Sequence, residues 1–332
     1  MSRRIRYDAW QAADGRFARR DGCATWTSPS CDAGFEFTDL VASWHAETSD
    51  GSWIQVAVQR RHESRWHSLA HWQSGTRATR RTSTDDPEVD TDVWRPAHPA
   101  DGYRLRVTLH PGPTGNRPRL DRIGAAISAG EVRRTTSSPL RPVERVLDVP
   151  RLSQMTWVEV GGNGWCSPAS VAMVLAHAGT LSPATDGGAP DLHRAAREVF
   201  DPAYDGTGNW SFNTAWAATL VGHAFVTRLR DLRDAERFVD AGIPLAASVA
   251  YPRGGLSGAP TRGTEGHLVV IRGFTEHGDV VTNDPAAPTE RSVRRTYVRG
   301  QFERAWLQGS GGLVYVIHRD DQELPAGGGG AW

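Results

Sequence analysis

Residues 149–179, VPRLSQMTWVEVGGNGWCSPASVAMVLAHAG, decide how the C-terminal half of this chain is read. Gly161, Gly162 and Gly164 give a permissive approach to Trp165-Cys166. Ser167-Pro168 then opens a helix, because a proline in the first turn loses no intrahelical hydrogen bond. Val171, Val174 and Leu175 recur at helical spacing, and Gly179 offers the C-cap. The thiol of Cys166 thus stands at a helix N-terminus, where unpaired N–H groups and the positive end of the dipole favour a thiolate. Taken alone, such a cysteine reads first as a small buried hydrophobe, and only its company makes it a nucleophile.

A nucleophile needs a base, and the base needs an orienting group. Both are found in residues 265–288, EGHLVVIRGFTEHGDVVTNDPAAP. His267 starts an apolar strand, residues 276–279 form a turn, and Asp284 ends the returning strand. An antiparallel hairpin centred on that turn predicts imidazole and carboxylate as neighbours, within a residue or two of register. Asn283 is a rival orienter, but successive strand residues face opposite ways, which favours Asp284. Upstream, the amide of Gln154 and the Cys166 N–H are candidate donors to a developing oxyanion. The order Gln, Cys, His, Asp is the papain arrangement. Strands expected at 224–229, 244–251, 267–274, 280–283 and 312–317, with helices at 167–178 and 231–241, make an α+β domain over 149–320.

The segments VPRLSQ, GWCSPASVAMVLAHAG, EGHLVVIRGF and VVTNDPAAP resemble the papain-like domain of the bacteriocin-processing cysteine peptidases, family 39 of the cysteine class, in its stand-alone branch. The resemblance spans roughly 149–317. It implies Cys166 as nucleophile, His267 as base, Asp284 as orienter and Gln154 as oxyanion donor. It further implies cleavage of a peptide or amide bond in a peptide or protein substrate through a thioester, with no cofactor and no metal. Transporter-linked members join this domain to membrane spans and an ATPase, cut after a Gly-Gly leader and usually carry Gly where Ser167 stands here, so their preference is not carried over. The alternative is a non-catalytic peptide- or glycan-binding protein on the same scaffold. Trp165 beside the nucleophile, and Asn209 and Trp210 in YDGTGNWSFNTAWAATL (204–220), are the candidate substrate-binding residues, with a structural loop as the plainer reading of the last two.

The N-terminal stretch, 1–128, reads as an all-β domain of the sandwich or jelly-roll kind and resembles the N-terminal half of two-domain members of that branch. Short β-rich runs at 40–44, 53–59, 66–72 and 103–109 alternate with turn residues. Trp10, Trp26, Trp44, Trp53, Trp66, Trp72 and Trp94 read first as packing, with a platform for glycan or peptide as the alternative. His62, His67 and His71 lie on one strand edge and cannot close a metal shell without partners that the sequence does not supply. Residues 129–148 read as a linker and 321–332, ending in AGGGGAW, as a flexible tail.

Composition removes several classes. The 38 basic and 38 acidic residues give zero formal net charge, so no global field attracts nucleic acid. Every basic residue is Arg, which rules out Schiff-base chemistry and a phosphate-binding lysine loop. No apolar run approaches the ~20 residues of a membrane span, and the first residues lack the apolar core of an export signal. As written the chain reads as cytoplasmic, or secreted if its true start lies upstream. Cys23 and Cys31 read as reduced thiols, with pairing open only in an oxidising compartment.

Overall fold

A computed structural model describes residues 3–20, 22–75, 81–82, 85–130, 137–181 and 191–332. The N-terminal half is built of strands: β1 (Arg4–Gln11), β2 (Arg16–Arg20), β3 (Cys23–Thr27), β4 (Cys31–Phe37), β5 (Asp39–Glu47), β6 (Trp53–Arg60), β7 (His67–Trp72), β8 (Arg81–Thr82), β9 (Val89–Asp90), β10 (Val93–Trp94), β11 (Ala100–His110) and β12 (Arg119–Ala129). They form one sheet in the order β1-β12-β5-β10-β9 and a second in the order β2-β3-β11-β6-β7-β8, with β4 paired to β11. The sheets pack face to face through large rings. Trp44 on β5 meets Trp72 on β7 edge-on at 6.2 Å, and Trp94 on β10 meets Phe37 on β4 at 6.1 Å. Trp26, Trp44, Trp72 and Trp94 are fully buried, so these four are core, as alternation on a two-sided strand predicts. Trp66 is covered by the guanidiniums of Arg104 and Arg106 and Trp53 by His110, so no open tryptophan row forms among them.

The C-terminal half starts with β13 (Arg145–Val146). It continues through α1 (Cys166–His177), α2 (Leu192–Val199), α3 (Trp210–Val221), β14 (Gly222–Arg228), α4 (Leu232–Asp240), β15 (Leu245–Tyr251), β16 (Thr264–Phe274), β17 (Val280–Asn283), β18 (Arg294–Tyr297), α5 (Arg299–Ser310) and β19 (Leu313–Arg319). One antiparallel sheet runs β14-β19-β15-β16-β17-β18, with β13 on β16. Helix α1 carries no charge before His177 and is buried from Ser167 to Leu175, an apolar surface all round rather than the single stripe expected. It therefore sits inside the domain, against β16 and β15 on one side and against α2 and α3 on others. Gly179 (φ 74°) takes the left-handed position just beyond it.

The two halves are joined across α3, β14 and β5. Ser211 Oγ donates to Ala42 O at 2.7 Å, Val226 N donates to Ser43 Oγ at 2.9 Å, and Asp92 accepts from the Trp210 N–H at the start of α3.

Two expectations fail here. The stretch read as a flexible tail is docked: Ala331 is buried, Gly330 O accepts from Tyr7 N at 2.6 Å, and the Trp332 ring lies 4.8 Å from that of Phe238. Glycine richness suggested fraying, but the Tyr7 N–H and the side chains of Thr227, Arg230 and Arg237 take up its carbonyls. Of the stretch read as a linker, 131–136 lie outside the described residues. From 137 it is anchored at two places though mostly exposed: the buried Arg299 guanidinium donates to Ser138 O, Ser138 Oγ and Pro139 O, and Arg145–Val146 adds a rung to β16. Among the described residues no helix is long and apolar enough to cross a membrane.

Candidate active site

Cys166 is the first residue of α1. Its N-cap, Trp165, makes no side-chain cap bond, so the first turn keeps free N–H groups on the side of the thiol. The thiol is half-buried at the mouth of the cleft, and the His267 imidazole and the Leu268 N–H are the groups that act on it. Burial opposes a thiolate, but the hydrogen bond and positive charge of His267, with the Leu268 donor, outweigh it and hold Cys166 below its ordinary value.

The imidazole is buried, with Nε2 at 2.8 Å from Asp284 Oδ1. That leaves Nδ1 as the nitrogen for the thiol. Burial works against the imidazolium, yet the Asp284 carboxylate and the thiolate override it and raise His267 to about 10. Asp284 is almost fully enclosed, and burial alone would push it up. The charge and hydrogen bond of His267, the Tyr297 hydroxyl at 2.7 Å and the Ala286 N–H at 3.0 Å keep it below the usual carboxylate value.

The hairpin that brings these groups together carries a register shift between Ile271 and Gly273. Val270 pairs with Asn283, so the position across from Asp284 is Val269, which shares a strand face with His267. Asn283 faces the other way: its amide donates to Pro150 O at 2.9 Å and to Val149 O, out of reach of the imidazole.

Gln154 begins a short 3₁₀ segment, Gln154–Val160, that is tied to the loop after Asp284. Gln154 N donates to Pro285 O at 2.9 Å, and Ser153 Oγ donates to Ala287 O. One N–H of the Gln154 amide donates to Asn163 O at 2.9 Å, which fixes the amide plane and leaves its second N–H without a described protein acceptor. The approach requires glycine at 162, where a Cβ would lie 2.5 Å from Gln154 O.

Cys166, His267, Gln154 and Trp210 line one open cleft of about 1380 Å³, together with Tyr204, Thr207 and Gly266. The other two candidate binding residues are committed elsewhere. Asn209 caps α3 by accepting from Phe212 N at 3.0 Å and donates to Asp201 Oδ2 at 2.9 Å, which spends its amide on structure. Trp165 packs between Trp157 and His193 and is not part of the cleft wall. Sequence reading missed Tyr297, because nothing local to RRTY on β18 signals that its hydroxyl reaches Asp284. It also missed the Leu268 N–H and the cleft residues given by the β domain.

The histidines considered for metal lie in separate settings: Nδ1 of buried His67 is 2.9 Å from Asp86 Oδ2, while His71 lies against Trp53. Among the described residues no group of three or more His, Cys, Asp or Glu is placed to hold a metal ion. His177 ends α1 with Nδ1 on Asp148 O at 2.8 Å, and His223 is packed against His318. Cys23 and Cys31 are both free.

A central helix carrying a cysteine at its start, packed on an antiparallel sheet that carries the histidine, defines the papain-like cysteine peptidase fold. Residues 146–313, half of the chain, match the family described as Peptidase_C39 like, and residues 5–128 match the Peptidase C39 N-terminal domain. The chain belongs to the C39-like peptidase family. Among solved structures, it is similar to a protein described as a C39-like peptidase from Bacillus anthracis, with 17% identity over 53% of this chain and 98% of that one, at a TM-score of 0.39. No curated protein matches the chain significantly.

Proposed function

We propose that the protein hydrolyses a peptide or amide bond with Cys166 as nucleophile, His267 as acid and base, Asp284 as the group that orients His267, and Gln154 as oxyanion donor. The observation that carries this reading is the His267–Asp284 pair at 2.8 Å, with His267 and Cys166 lining the same cleft and His267 lowering the thiol. An imidazole charged by the anion behind it favours the ionised sulfur.

The Cys166 thiolate attacks the carbonyl carbon, and the carbonyl electrons move onto oxygen beside the Gln154 amide and the Cys166 N–H. As the C–N bond breaks, His267 gives its proton to the departing amine. His267 then takes a proton from water, whose oxygen attacks the thioester. The acid product leaves, and sulfur departs as thiolate with its proton-bearing partner restored. Asp284 stays ionised throughout and holds the ring through Nε2. Peptide substrate fits the family, and the β domain lines the cleft rather than standing apart from it.

The test compares wild type with Cys166→Ala on a pool of end-blocked peptides, with products read by mass. Cleavage by the wild type that falls by about 10⁴-fold or more in the variant is expected. Undiminished cleavage by Cys166→Ala would refute the assignment.

A further inference from the structure

The cleft that holds Cys166 is not built by the C-terminal half alone, since Arg3, Asp39 and Gly130 of the β domain form part of its wall. There Asp39 Oδ1 accepts from Arg228 Nη2 at 3.1 Å and from Ser128 Oγ at 2.6 Å. Arg3 Nη2 donates to the same Ser128 Oγ at 2.8 Å and stands 3.7 Å from Asp39 Oδ2. Asp39 and Arg228 are buried, at 9% and 7% exposure. Two guanidiniums therefore share one carboxylate, and among the described residues the cluster carries one surplus positive charge. Arg3 Nε is buried with no hydrogen-bond partner among them. Burial and the Arg228 charge pull Arg3 down to about 10 against Asp39, so it stays charged at neutral pH in a site that, among the described residues, is short of one anion. An enclosed charge without a full counter-ion is costly unless a ligand supplies it.

The sheet sets the distance from this cluster to the thiol. Arg228 ends β14 opposite Leu313 on β19; Val314 pairs with Ala247 on β15; and the next residue, Ser248, pairs with Leu268 on β16, beside His267. These positions form a row along one end of the sheet, and Arg228, Ser248, Leu268 and His267 all line the cleft. Three strand-to-strand steps span about 14 Å, the length of about four extended residues. At the thiol end the wall carries the opposite charge, Asp205 and Glu265.

We propose that the Arg3–Asp39–Arg228 cluster is a carboxylate subsite through which the β domain selects substrates with an acidic group about four residues from the bond presented to Cys166. The inference rests on the hydrolase reading of Cys166 for its register, while the subsite itself needs no turnover. The carboxylate comes from a Glu or Asp side chain or from a peptide's free C-terminus; the shared chemistry is one anionic carboxylate against two guanidiniums.

The probes are ten-residue peptides blocked at both ends, each with one Glu moved along an otherwise neutral sequence, each matched by its Gln counterpart, and a third set with a free C-terminus. Cleavage by the wild-type chain is mapped by mass, and binding of the same peptides is titrated against the full-length Cys166→Ala chain. The expected result is a preference of about tenfold for Glu over Gln, strongest about four residues from the cut and lost in Arg3→Gln. Preference for the third set alone assigns the subsite to a C-terminal carboxylate. Arg228 also donates to Ser310 O, so Arg3→Gln is the milder probe and Arg228→Gln the second. Equal handling of Glu and Gln peptides at every position, or a preference unchanged in Arg3→Gln, would overturn the subsite. Binding preference without any cleavage keeps the subsite and removes the hydrolase, whereas cleavage without preference does the reverse.

Discussion

The two halves of the molecule each place a cysteine near a histidine, and the two imidazoles respond in opposite directions. In the β domain Cys23 Sγ lies 3.4 Å from His110 Nδ1, while Trp53 stacks on that imidazole at 3.7 Å and His110 Nε2 has no partner among the described residues. Burial lowers His110, and no carboxylate among the described residues offsets this. In the C-terminal domain the same pair of residue types has Asp284 behind the ring and the start of α1 beneath the sulfur, so His267 rises and Cys166 falls. The third thiol, Cys31, has the anion on its own side: its Sγ is 3.2 Å from Asp8 Oδ2, and burial together with that charge pushes it up to about 12. What separates the two imidazoles is the carboxylate on the far side of His267, which keeps that ring charged beside the Cys166 sulfur.

The most severe way to break this contrast is Asp284→Asn, which should make the Cys166 site resemble the Cys23 site. The active pair exists above the Cys166 value, where the thiol is ionised, and below the His267 value, where the ring is still charged. With the carboxylate gone, only the thiolate opposes the burial of His267, the imidazole's value drops, and the positive charge that holds Cys166 down is weakened. The alkaline limb of the pH–rate profile should retreat toward neutral pH while the acid limb advances, and kcat/KM should fall by about a thousandfold. A profile that kept both limbs would show that another group orients the ring.

Tyr297→Phe probes the same support more gently. It removes the hydroxyl donor to Asp284 Oδ2 but leaves His267 Nε2 and the Ala286 N–H on Oδ1. A loss of about tenfold in kcat/KM is expected, with a smaller retreat of the alkaline limb and a nearly unchanged KM. A KM effect alone would mean that the tyrosine acts on substrate instead.

The parts of the site that could be read from sequence are those set by local periodicity. Gly162 through Pro168 determines where α1 starts, and the apolar runs either side of residues 276–279 make a hairpin whatever the rest of the chain does. Asn283 and Asp284 were separable because neighbours on a strand face opposite ways. The limit was register: Phe274 pairs with Val280, so the hairpin centres on residue 277, and the one-residue shift between Ile271 and Gly273 takes one position back, which leaves Asp284 across from Val269 on the face that His267 shares. What sequence could not supply is contact between segments far apart in the chain. Tyr297 on Asp284, Asp92 at the start of α3, Arg3 beside Arg228 and the tail on Tyr7 join positions with no common periodicity. Asn209 misled for a related reason. A residue before an apolar run reads as cleft wall or N-cap alike, and Asp201 and Phe212 together use up its amide.

The central claim is tested most directly by the pH dependence of iodoacetamide alkylation, resolved cysteine by cysteine by peptide mapping, in wild type and in His267→Ala. Cys166 should react with a midpoint below the ordinary thiol value of about 8.5, Cys31 should lie well above it, and His267→Ala should move the Cys166 midpoint upward while leaving Cys23 where it was. A Cys166 midpoint at or above the ordinary value in the wild type, or one indifferent to His267→Ala, would contradict the account.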